Sequence, residues 1–164
     1  MKKEIIPDLI SELKDELELI GVLVSDIAET SREIPKYHKK KRVYEESLAL
    51  KLHNFYTGCE RIFQKIADDI NGGVPASMDW HKRLLKSMSL EIEKIRPPVI
   101  SKDTAKALEE YLAFRHVVRN IYGFEIDSER LARLIEKLFS IHKRFKKEVE
   151  DFIAFLRKMG SNES

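Results

Sequence analysis

Apolar side chains recur along this chain at alternating steps of four and three residues. That spacing keeps one face of an α-helix dry and is incompatible with the two-residue alternation of a half-buried strand. The first seam is Ile6, Ile10, Leu13, Leu17, Ile20, Val24 and Ile27, with Pro35 to end it. A second, Leu48, Leu52, Phe55, Cys59, Ile62, Ile66 and Ile70, stops at Gly72-Gly73, where positive φ is permitted. A short third helix is predicted from about Asp79 to Glu93, broken by Arg96-Pro97-Pro98. Ser101 can cap a fourth, carrying Leu108, Leu112, Val118 and Ile121 and closing at Gly123. Asp127 can cap a fifth with the longest stripe, Leu131, Leu134, Leu138, Ile141, Phe145, Val149, Phe152 and Leu156.

The expected fold is therefore all-α, an up-and-down bundle of four long helices with one extra short helix between the second and fourth. A chain of 164 residues suits one core, so residues 1–159 are expected to form a single domain and 160–164 a disordered tail. The fifth helix, from Ser128 to Lys158, would reach about 46 Å at 1.5 Å per residue. Its last third, with Phe152, Phe155 and Leu156, is expected to project as an apolar stripe that wants a second copy, making a homodimer.

Composition narrows the class. With 43% hydrophobic and 35% charged residues and only 6 Gly and 5 Pro, the chain is neither collagen-like nor a Pro/Gly-rich disordered segment. The single cysteine, Cys59, has no partner within the chain. The longest apolar run, Leu19 to Val24, is too short to span a membrane, and Pro7 and Asp8 interrupt any signal-peptide core. A cytoplasmic protein with no membrane partner is expected. A net charge of +2 does not argue for nucleic acid, so such a partner must be met by a local patch.

Metal and cofactor sites find no support. Helical bundles hold di-iron centres with a Glu three residues before a His, and the residues three before His38, His53, His81, His116 and His142 are Pro35, Leu50, Met78, Ala113 and Phe139. There is no GxGxxG and no P-loop. Cys59 sits on an apolar seam and reads as a core residue, while His53 and His81 read as packed or capping groups. Two basic clusters remain: Lys36, His38, Lys39, Lys40, Lys41 and Arg42 after Pro35, and Lys143, Arg144, Lys146 and Lys147 on the fifth helix. Each is either a solvated face or a phosphate contact.

One stretch concentrates chemistry. Between Tyr111 and Asp127 the chain places Arg115, His116, Arg119, Asn120 and Tyr122 near the end of an apolar helix. Helix geometry sets Arg115, Arg119 and Tyr122 within about 40° of one another. Two guanidiniums, an imidazole and a phenol are either a phosphate site or surface residues at a helix end. The spacing Arg115, four residues, Asn120, Ile121, Tyr122 resembles the RX4HXY signature of the HepT ribonuclease toxins of the HEPN superfamily. Three further segments read in order like a HepT-like subfamily: His53 to Phe63, Trp80 to Leu85, and Arg96-Pro97-Pro98-Val99. The likeness covers about residues 45 to 140.

The resemblance implies a HEPN-like helical dimer whose signature residues face a shared cleft. It implies a metal-independent endoribonuclease acting on RNA, and a minimal nucleotidyltransferase antitoxin that transfers AMP to the signature tyrosine, here Tyr122. Arg115 would then steady the charged transition state. Outside the resemblance, the basic cluster with Lys39, Lys40 and Lys41 is expected, with Arg119, to hold the RNA backbone. Where the signature has histidine this chain has Asn120, which cannot take up a proton near neutral pH; His116, one turn earlier, is the candidate base. The alternative is a non-catalytic helical dimer that binds such a partner and is modified by it.

Overall fold

A computed structural model describes residues 3–34, 38–119 and 126–161. After a short turn over Lys3–Ile5, α1 runs Ile6–Glu33, α2 Lys41–Ile66, α3 Trp80–Met88, α4 Lys102–Arg119 and α5 Ser128–Ser161. No strand forms among the described residues, and Ile92 and Arg96 share only an isolated bridge. The fold is all-α, as the apolar spacing predicts.

Contacts define a ring of antiparallel neighbours. Lys51 pairs with Asp26 and Lys65 with Glu12, so α2 descends along α1. At the midpoint of that pair Gly58 lets the helices close: a Cβ there would lie 2.8 Å from Ile20 Cγ1. α4 returns beside α2, its Tyr111 ring edge-on to Phe55 at 5.5 Å. Tyr111 Oη then donates to the Leu134 carbonyl of α5. α5 closes the ring against α1, and a Cβ at Gly160 would lie 3.8 Å from Ile6 Cγ2. The buried seams of all five helices merge into one cluster.

The caps fall where the sequence places them. Ser101 Oγ accepts from the Thr104 amide at 3.1 Å, and Asp127 Oδ1 accepts from the amides of Glu129 and Arg130 at 3.1 and 3.2 Å. Beyond Ile66 the second helix widens into a π-turn over Ala67–Asn71 and stops at Gly72, with φ of 86°. Pro35 and Gly123 lie outside the described residues.

Three expectations change. On α1, Leu9 is buried in place of Ile10, which is half-buried. α3 ends at Met88, not near Glu93, because Arg96 gathers the backbone that a longer helix would need. That side chain, 3% exposed, donates to Asn71 Oδ1 and to the carbonyls of Ser87, Leu90 and Pro97. The Met88 carbonyl accepts instead from the amides of Val99 and Ile100. The third change concerns the end of α5. Phe152 and Leu156 are buried and Phe155 is half-buried, so no apolar stripe projects. At 28 residues α1 is long enough to cover them. Helix α5 also continues through Gly160 and Ser161, two residues that were expected to lie in the tail.

Candidate functional site

Burying a guanidinium requires a matched charge and a partner for each donor. Arg115 points from α4 into the bundle at 2% exposure and finds its matched charge in Glu60. Its two Nη atoms each donate to one oxygen of Glu60 on α2, both at 3.1 Å. Nη1 also reaches Thr57 Oγ1 at 3.4 Å, and the Tyr56 ring lies 4.9 Å below the guanidinium carbon. The fork-to-carboxylate geometry is the strong form of such a pair.

His81, the second residue of α3, completes the cluster. Its Nδ1 stands 2.7 Å from Glu60 Oε2 and 2.9 Å from Arg115 Nη2. One ring proton serves one acceptor, and the shorter contact is to the carboxylate. The Nδ1–H therefore donates to Glu60, and the carboxylate draws both nitrogen donors together. Trp80 stacks on the ring at 3.6 Å between centroids. His81 then opens onto a cleft of about 750 Å³ between α3 and α4, lined by Met78, Asp79, His81, Lys82, Leu85, Lys86, Glu109, Leu112, Ala113 and His116. Its floor is apolar, and around it stand His81, Lys82, Lys86 and His116 together with the carboxylates of Asp79 and Glu109.

The signature helix divides its residues between two surroundings. His116 lines that cleft, whereas Arg119 is exposed beside α2, its Nε donating to His53 Nε2 at 3.2 Å. Burial, and after it the charges of Arg119 and Arg115, hold the His53 pKa below its ordinary 6.5 against a raising contribution from Asn54. Asn120 and Tyr122 lie outside the described residues. Lys39, Lys40 and Lys41 are exposed but stand apart: Lys41 precedes His53 by 12 residues of α2, about 18 Å of helix rise. On α5, Lys146 and Lys147 pair with Glu150 and Asp151, as on a solvated face. Cys59 is buried, and burial pushes its thiol up. Among the described residues no three His, Cys, Asp or Glu side chains gather to hold a metal, and no helix is long and apolar enough to cross a membrane.

Glu60 and the reach of His81 were missed from the sequence. The signal for Glu60 is a carboxylate set among the seam residues Cys59 and Ile62, with Arg115 likewise beside Phe114. Two opposite charges inside two apolar stripes call for each other. Nothing in the sequence marks His81 as their third member.

Neither the curated proteins nor the solved structures yield a match. A family model described as HepT-like protein matches residues 47–156, about two-thirds of the chain, taking in α3, α4 and most of α2 and α5. By that match the chain belongs to the HepT-like proteins.

Proposed function

We propose that this chain is the toxin of a toxin–antitoxin pair, a metal-independent endoribonuclease that acts on RNA in the cytoplasm as a homodimer. The observation that carries the reading is the cleft beside the signature helix, where two lysines and two histidines, His81, Lys82, Lys86 and His116, outnumber the carboxylates of Asp79 and Glu109 around an apolar floor. A nucleobase suits the floor and a phosphodiester suits the rim. Arg119, exposed immediately before Asn120, and Lys39 to Lys41 supply further contacts for the backbone, and a minimal nucleotidyltransferase would silence the site by adding AMP to Tyr122. The reading expects purified protein to cut labelled RNA with a metal chelator present, and light scattering to give twice the chain mass. Intact RNA under those conditions overturns it.

A second reading is favoured by one contact. The fork between Arg115 and Glu60 occupies the signature arginine, so a phosphate would have to displace a buried carboxylate to reach it. If RNA stays intact while a cognate nucleotidyltransferase adds AMP to wild type and not to Tyr122→Phe, the chain is a non-catalytic partner of that enzyme.

A further inference from the structure

A ribonuclease that works without metal needs a group to take the proton of the attacking 2′-hydroxyl, and Asn120 cannot be that group. We infer that His81 is the general base and that Glu60 is its positioning residue, with the cleft between α3 and α4 holding the scissile nucleotide. The assignment rests on the nuclease reading above and names the acceptor within the same site.

The geometry is that of an activated imidazole. A buried carboxylate, Glu60 at 5% exposure, accepts a hydrogen bond from His81 Nδ1–H at 2.7 Å and so leaves Nε2 as the nitrogen with the lone pair. Nε2 makes no hydrogen bond among the described residues, and the ring keeps 29% of its surface open. Trp80 fixes the ring plane from one face. Arg115, through its fork to Glu60, stops the carboxylate from turning away. The signature arginine thus acts through Glu60, which accounts for its burial. His116, the base expected from the sequence, lines the same cleft, so His116→Ala is the control that separates the two candidates, whereas two other imidazoles are differently placed. His53 Nε2 is occupied by the Nε–H of Arg119, and His142 Nε2 is enclosed without a partner.

In the reaction, the 2′-hydroxyl proton passes to His81 Nε2 as O2′ bonds to phosphorus. The bond from phosphorus to O5′ breaks, and O5′ takes a proton from water. The products are a 2′,3′-cyclic phosphate and a free 5′-hydroxyl, and the imidazolium returns its proton to solvent. Lys82 and Lys86, on the rim of the cleft, offset the charge that builds on the phosphate oxygens.

The test is RNA cleavage by the full chain with chelator present, comparing wild type with His81→Asn and His81→Ala. Asparagine keeps an N–H for Glu60 and lacks the lone pair, which guards the fold. Both variants should lose ~10²- to 10⁴-fold in rate. Added imidazole should restore part of the loss in His81→Ala, which a merely structural role would not allow. For Glu60, nitrogen NMR shifts should report a single His81 tautomer in wild type and a mixture in Glu60→Gln. Cleavage by His81→Asn within about twofold of wild type overturns this assignment and leaves the nuclease reading standing. No cleavage by wild type overturns both.

Discussion

A charged residue inside a bundle is tolerated only while its partner stays. Arg115 and Glu60 form an ion pair in which both side chains are nearly inaccessible to water. Removing one leaves the other buried and unmatched, at a cost of about 3–5 kcal/mol. Glu60→Ala should therefore lower stability by that amount in denaturant titration, with RNA absent. Arg115→Lys should recover little of the loss from Arg115→Ala, because one ammonium cannot engage both carboxylate oxygens and Thr57 together. Equal stability of wild type and Glu60→Ala would mean that the pair is a surface-like contact.

At the level of elements, α1 and α2 pack closely at Gly58. Alanine there would gain about 1 kcal/mol of helix propensity and collide with Ile20, whose Cγ1 is 2.8 Å from the new carbon. Overpacking typically costs 1–3 kcal/mol, so Gly58→Ala should be net destabilising by up to about 2 kcal/mol. Adding Ile20→Val, which trims the colliding side chain, should recover stability, and a thermal-melt cycle of the four proteins checks the coupling. The helices were legible because burial of one face repeats along each of them. All seven residues of the second seam, six on α2 and Ile70 in the π-turn beyond it, and all eight of α5 named from spacing are buried. What was not legible depends on contacts between distant positions. α3 stops early because Arg96 reaches back to Asn71, 25 residues away. The cluster of Glu60, His81 and Arg115 joins three helices, and only Arg115 of its members stood out in the sequence.

For the whole molecule, histidines set part of the response to acid. Burial, with Lys146 assisting, holds the His142 pKa below 6.5, and His53 is lowered as well. As pH falls through 6.5 the unfolded chain takes up these protons before the folded one does. Stability is thus full above that value and declines below it. The melting temperature should be a few degrees lower at about pH 5.5 than at about pH 7.5, and His142→Leu should narrow the gap. A gap unchanged by that substitution would show that His142 titrates normally in the fold. The helix most exposed to question at this scale is α1, which lies outside the stretch matched by the HepT-like family yet buries its seam against α2 and α5. An even number of long helices brings the start of α1 back to the end of α5, with Ile6 against Gly160. Glu60, which carries the site on α2, is level with a point some 12 residues of α1 further along, or about 18 Å, since Lys65 meets Glu12 and Gly58 meets Ile20. A fluorophore or affinity handle joined near either of these positions would be held about 18 Å along the bundle from the cleft. A short peptide bridging them would close the backbone into a ring and leave the helix packing as it is.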